Sequence, residues 1–416
     1  MISTAADTGF ADRLSLRERL ARTSDVLAVG VAASLPWSTS AASILIALWV
    51  LFVLPALNWR TVLAALKSPA GGLPVLLWAL GSLGMLWAHV SWAEAFAGHD
   101  SFHKLLLIPL LLARYRDGGR GEWVLAGYLA SCVLLLAASA VLAWWPDPTQ
   151  GTPGVPVRDY IIQSGEFVLC AFGLLGLAAT SWHRRPWLAT VCVLLAALFV
   201  ADVLYIATGR TTLVVIVVLA ALFAFWHFGL RGVAGLIAIS LVAAGIWVSS
   251  PYLRTQVTSV WDEVAQYRTE NAITRSGERL EFWRKSLLFM QEAPFVGHGT
   301  GSVRELFRRS AEGQTGASAQ ASANPHSQTL TVAIQLGLLG VAALYAMWIA
   351  HLLLFRRYSA TAWIGLVLVV QNIVGSLFNS HLFDFVQGWT YVFGVGVLGG
   401  MVLRRSATAY AARPLP

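Results

Sequence analysis

Long apolar runs broken by short polar segments dominate this chain. They fall near 23–37, 40–57, 73–90, 95–114, 122–143, 163–181, 187–206, 211–228, 232–249, 328–355, 359–377 and 386–403. A helix crossing a bilayer needs about 20 mostly apolar residues, so the pattern predicts an all-α polytopic membrane helical bundle of about 12 spans. The first and fourth runs fit least well. The fourth is fully apolar only from Leu105 to Ala113, and its front half carries His99, Asp100, His103 and Lys104. A re-entrant segment fits it as well as a span does.

One stretch departs from the pattern. From Ser250 to Ser327 the chain turns polar over a length that a structureless loop rarely reaches. Arg279, Trp283, Leu287 and Gln291 repeat at a four-residue step, with Leu280 and Leu288 widening an apolar stripe. That spacing predicts a helix, ended by Pro294. Gly297, Gly299 and Gly301 predict a turn, and Arg304 and Arg308 share one face of a second short helix. The Ala-, Gly-, Ser- and Gln-rich stretch 311–323 reads as a mobile lid. The chain thus divides into spans over 1–249, a large partly helical loop over 250–327, and the last spans with a tail over 328–416.

Composition excludes a soluble protein. Charged residues are 12% and hydrophobic residues 57%, whereas a soluble domain carries about 25% charge. So little charge cannot cover a water-facing surface, and lipid must face most of it. The net charge of +8 is then a matter of where charges sit rather than of nucleic acid. With the N-terminus cytoplasmic, Arg17, Arg19, Arg60, Arg116, Arg184, Arg185, Arg356, Arg357, Arg404 and Arg405 share the cytoplasmic side. The short loops opposite hold only Lys104, Arg158 and Arg210. The positive-inside rule therefore predicts both termini in the cytoplasm and the large loop on the far side. The polar, arginine-bearing first 25 residues read as a cytoplasmic tail, not a removable signal. Tryptophans such as Trp37, Trp59, Trp92, Trp144 and Trp182 flank apolar runs, as in an interfacial belt. Cys132, Cys170 and Cys192 lie scattered in apolar runs and form neither a disulfide framework nor a metal motif.

Ionisable residues in or beside lipid are expensive and are functional candidates for that reason. Glu166, Asp202, Arg210, His326 and Asp384 all map to the non-cytoplasmic end. Glu166 and Asp202 read equally well as structural partners for arginines. His326, in Asn324-Pro325-His326-Ser327-Gln328, sits where the loop enters a span. The positive end of that helix disfavours imidazolium, so the ring is expected to be neutral and able to accept a proton; the plainer reading is a polar helix cap. Arg210, alone in the turn Thr208-Gly209-Arg210-Thr211, and Arg279 at the head of the loop helix suit a diphosphate, which the planar guanidinium fork grips in pairs. Gly297-His298-Gly299-Thr300-Gly301 follows no strand and is no nucleotide fingerprint. No HExxH occurs, and His99 with His103 lacks a third ligand, so ligand spacing points to no metal or other cofactor.

Three stretches together resemble the O-antigen ligase/polymerase superfamily, and within it the WaaL-type O-antigen ligases. They are Thr208-Gly209-Arg210-Thr211; Ser276-Gly277-Glu278-Arg279 with Trp283 and Pro294-Phe295-Val296-Gly297-His298-Gly299; and Pro325-His326-Ser327 with Leu330, Gly337 and Gly340. They cover 205–340. Gln335 stands where an acidic residue is common in such proteins, so another group must support the histidine if that acid does so there. The resemblance implies a metal-independent, inverting glycosyltransferase of the GT-C class at the periplasmic face of a bacterial inner membrane. Its donor would be O-antigen on undecaprenyl diphosphate and its acceptor a sugar hydroxyl of lipid A–core. His326 would be the general base and Arg210 and Arg279 the diphosphate ligands, with Asp202, Glu166, Asp384 and Lys104 in support. A polymerase joining two lipid-linked glycans would use the same chemistry. A pilin-type oligosaccharyltransferase fits less well, and so does a transporter, for which charges would sit near the midplane.

Overall fold

The computed structural model describes residues 15–145 and 152–411. The tail residues 1–14 and 412–416 lie outside the described residues. Within them the chain is all-α. The first half comprises α1 (Leu16–Ser34), α2 (Thr39–Val53), α3 (Trp59–Lys67), α4 (Pro69–Gly84), α5 (Trp92–His103), α6 (Leu107–Arg116), α7 (Gly121–Trp144), α8 (Tyr160–Ser181), α9 (Pro186–Tyr205), α10 (Arg210–Phe228) and α11 (Gly232–Ser249). The polar segment folds as α12 (Pro251–Glu270), α13 (Arg275–Glu292) and α14 (Ser302–Ala311), and α15 (Gln328–Leu354), α16 (Ala360–Ser376) and α17 (Phe385–Ala411) complete the bundle.

Helices occupy every stretch expected as a span, yet length and hydropathy qualify fewer as crossings. Among the described residues seven are long and apolar enough, or eight if α3 and α4, bent by 79°, count as one. The expected first span begins earlier than its apolar run. Ser15 and Glu18 form a capping box that starts α1 among Arg17, Glu18, Arg19 and Arg22, residues expected to belong to the tail. The fourth is not one helix, because a 3-10 turn over Lys104–Leu106 separates α5 from α6. Neither piece can cross alone. Instead α6 packs along α17 through buried Ile108, Leu111, Leu112 and Tyr115. Elsewhere α8 pairs with α9, α15 with α4, and α16 with both α8 and α17. Trp49, Trp348 and Trp363 are fully buried among these helices, while Leu134, Leu194, Leu198 and Val217 stay exposed as a lipid-facing rim would be.

The polar segment holds more helix than its sequence predicts. The twenty-residue α12 was not expected; α13 was, but it buries a different face. Leu287 and Leu288 are exposed, whereas Phe282 and Phe289 join Val303, Phe307 and Ile334 in a small second core. The stretch read as a mobile lid, 311–323, is tied down at its centre. Ala317 N donates to Asn271 O (2.8 Å), Asn271 Nδ2 to Thr315 O (2.7 Å), and Lys285 Nζ to Ser318 O (2.7 Å).

Two of the glycine-bearing stretches interlock. Gly337 breaks α15 at φ 59°, ψ −157°, which opens its backbone there. The turn after α13 fills the gap: His298 N donates to Ile334 O and Gly299 N to Gln335 O, while Leu338 N and Leu339 N donate to Pro294 O and Phe295 O. A Cβ at Gly337 would meet the Phe295 carbonyl at 2.3–2.4 Å, and φ is positive besides, so only glycine fits. The lock fixes the polar segment onto the helix that begins just after His326.

Candidate functional site

Two cavities of about 420 Å³ each open at the end of the bundle that carries α12–α14. The first is mostly apolar, walled by Val257, Val260 and Val264 of α12, Leu213 and Val214 of α10, and Leu280 and Trp283 of α13. Its polar groups are Arg210, Arg275, Ser276, Arg279 and Tyr160. The second is the more polar of the two, with Glu94, Ser101, Arg304, Asn324, Gln335, Ser380 and Asp384 set among alanines, glycines, Val303 and Phe383. The segment between α16 and α17 walls both, with Phe378 on the first and Ser380, Phe383 and Asp384 on the second.

The two arginines named from the sequence share the first cavity but differ in state. Arg210 grips Glu263 with both terminal nitrogens (2.7 and 3.0 Å) and also reaches Ser259 and Ser276. The pair holds the Glu263 carboxyl down at about 2. Arg279, one turn into α13, makes no hydrogen bond or ion pair among the described residues. Burial, and Arg210 nearby, act against its charge. A half-buried cation with no anion in direct contact, although Glu263 acts on it at longer range, can receive one.

His326 lines neither cavity itself, but Asn324, two residues before it, lines the second, and its ring hydrogen-bonds to Asn379, between Phe378 of the first and Ser380 of the second. Pro325 precedes it and Asn324 Oδ1 accepts its backbone N–H (2.8 Å), an Asx turn that holds the residue in the left-handed region at φ 54°. Strain of this kind in a non-glycine residue concentrates at functional sites. The ring stacks on Phe282 at 6.2 Å. Its Nδ1 is 3.1 Å from Asn379 Oδ1, and Asn379 Nδ2 donates to Asp384 Oδ2 at 3.2 Å. Since the amide nitrogen faces a carboxylate, the amide oxygen facing the ring can only accept. Nδ1 must then carry the hydrogen, leaving a lone pair on Nε2. Burial first, and Arg279 besides, hold the ring below the usual histidine range. The direction is that expected from the sequence, with burial rather than the helix end as its chief cause.

Lys104 supports this relay from behind. Its buried ammonium donates to the carbonyls of Phe383 (3.1 Å) and Asp384 (2.9 Å). Burial pushes the Asp384 carboxyl up to about 6, against the pull of Lys104. Gln335 does not touch His326; it accepts from Gly301 N at 2.9 Å and steadies the glycine turn.

The other two acids stand apart, and neither pairs with an arginine. Asp202 accepts from Ser139 and from Gln163 Nε2 (3.0 Å), and both donors also reach the carbonyl of Gly154. That knot ties α7, α8 and α9 together. Glu166 is buried between α8 and α16 with no hydrogen bond to either oxygen. Sequence reasoning missed Asn379, Glu263 and Asn324. Asn324 was visible only as part of the junction Asn324-Pro325-His326, and Asn379 only in the polar break Asn379-Ser380-His381 between two apolar runs.

Residues 195–345 match the family described as O-antigen ligase. The match takes in Arg210, Arg279 and His326 and stops short of Asn379 and Asp384. No curated protein matches the chain.

Proposed function

We propose that this chain, a member of the O-antigen ligase family through residues 195–345, moves a glycan from undecaprenyl diphosphate to a sugar hydroxyl of lipid A–core. The reaction would take place at the periplasmic face of a bacterial inner membrane, with both termini cytoplasmic. The observation that carries this reading is the Asp384–Asn379–His326 relay, whose asparagine and aspartate lie on the segment that borders both an arginine-bearing apolar cavity and a more polar one.

The apolar cavity suits a polyprenyl tail with its diphosphate against Arg279 and, once Glu263 yields a share of it, Arg210. The polar cavity suits the acceptor sugar. His326 Nε2 takes the acceptor proton as the hydroxyl oxygen bonds to the anomeric carbon. The bond from that carbon to the diphosphate breaks on the opposite face with its electron pair, giving inversion. The charge gained by the leaving group falls on the arginines, and donors preorganised in this way are worth about 2.7–4 kcal/mol each. A positioned base adds about 10²–10⁴-fold. Asn379 and Asp384 act through His326 by fixing its tautomer and aim, and Lys104 by fixing the segment that carries them. No step calls on a metal or cofactor.

The test is transfer by purified protein given undecaprenyl-diphosphate glycan and lipid A–core, with EDTA, beside His326→Ala. Glycan on lipid A–core with wild type alone supports a ligase using His326. Chains that lengthen on undecaprenyl diphosphate instead would make it a polymerase, and full transfer by His326→Ala would remove the base.

A further inference from the structure

A small cavity of about 30 Å³, room for one water-sized guest, lies where α7, α8, α16, α17 and the segment before α17 meet. Tyr128 OH, both Glu166 oxygens, Gln371 Oε1, Asn372 Oδ1, His381 Nε2 and Thr390 Oγ1 are all buried there without a hydrogen-bond partner. Glu166 and Asn372 are only 4% and 5% exposed. Gln371 Nε2 donates to Gly165 O at 2.7 Å, which turns its oxygen away as an acceptor. Six residues with unmet polar atoms around one small space amount to a debt that no pair among them settles.

What the cage lacks is positive charge. Four of its atoms, the two carboxylate oxygens and the two amide oxygens, can only accept. One water brings two hydrogens and leaves the carboxylate charge buried and uncancelled. A cation meets all the oxygens at once. Oxygen ligands select a hard ion, and the softer nitrogen- and sulfur-loving metals have no matching set here. A single carboxylate balances one positive charge, and space for one water favours a small ion. We propose that Glu166, Asn372, Gln371, Thr390 and Tyr128 bind one sodium ion, with His381 closing the cage. His381 lies two residues beyond Asn379, so the ion would brace the segment that aims His326.

The full-length protein in detergent is melted in sodium, potassium or N-methylglucamine chloride at constant ionic strength. Sodium is expected to raise the melting temperature saturably, by about 2–5 °C, with little effect of potassium. Glu166→Gln, which keeps the shape and removes the charge, should fold and lose that response. Should it fail to fold, Thr390→Val removes one ligand oxygen and should shift the half-saturating sodium concentration upward about tenfold. Equal melting in all three salts overturns the proposal and leaves the cage to water. An unchanged sodium response in Glu166→Gln, or in Thr390→Val if that is the variant that folds, overturns it as well. Melting is read without substrate, so the outcome is independent of whether the chain transfers glycan.

Discussion

The two cavities at the α12–α14 end of the bundle have the same volume and unlike walls. One is valine, leucine and tryptophan with arginines at its polar edge; the other is carboxylate, amide and hydroxyl with Arg304 at its rim. They share one thin partition, Phe378 to Asp384, to which His326 is hydrogen-bonded. An enzyme that joins a lipid-borne donor to a sugar acceptor has to hold two unlike molecules and let them meet at a single base. Walls this different can do the sorting before any chemistry occurs. The comparison makes separable claims for each side, so each side can be broken alone.

The largest effect on the apolar side is expected at Arg279. Its guanidinium is uncommitted, whereas that of Arg210 already holds Glu263 at 2.7 Å. Arg279→Ala should lower the transfer rate at saturating acceptor by about 10²–10³-fold. Arg279→Lys should recover little, because an ammonium cannot make the paired bonds. Arg210→Lys should cost activity too, but less. Single-turnover rates on the undecaprenyl-diphosphate donor decide the order. A greater loss at Arg210 would mean that Glu263 gives way fully when donor binds and that Arg210 is the principal ligand.

That ordering could not have been read from the chain. Arg210 and Arg279 stood out because charge at a membrane edge needs a reason, but whether a neighbour already satisfies them depends on α12. This helix does carry an apolar stripe, Leu253, Val257, Val260 and Val264 at helical spacing, passed over among its many polar residues. His326 was legible from the Asn-Pro-His-Ser junction. Asn379 was not, since an asparagine in a short loop carries no periodicity and gains meaning only when folding sets it between a histidine and a carboxylate. Hydropathy found the helices and marked the fourth run as irregular up to Lys104, but it missed the break at Gly337, because backbone geometry leaves no mark on an average of side-chain polarity. The glycines of 297–301 were seen as a turn, while their partner, the opened backbone of α15, belongs to tertiary structure.

The partition itself is tested by pH. Asp384 titrates at about 6, raised by burial, and His326 below its usual range. Both groups therefore hold their working forms at pH 7–8. As pH falls through 6, Asp384 gains a proton and stops drawing on the Asn379 amide, and His326 follows at lower pH. Transfer should be flat above pH 7 and fall below about 6. Asp384→Asn removes the first titration and a negative charge near the ring, so its acid limb should move to lower pH, with a loss at pH 7.5 of about tenfold. Asn379→Asp adds a carboxylate beside the ring; it should raise the histidine's affinity for protons and move the limb upward. Limbs that coincide across all three proteins would detach the relay from catalysis.

The smallest effect is expected on the polar side, at Arg304. Its side chain is exposed and reaches the second cavity from α14, with no hydrogen bond among the described residues. A charged donor to a sugar hydroxyl at so wet a position is worth about 0.5–1.5 kcal/mol. Arg304→Ala should therefore raise KM for lipid A–core about two- to tenfold, with kcat and donor KM unchanged. The split between the two KM values matters more than its size. A rise in acceptor KM alone keeps the acceptor in the polar cavity. A rise in donor KM alone would place the donor's glycan there instead, and the acceptor would then have to approach His326 from the membrane side, past Phe378 and Trp283.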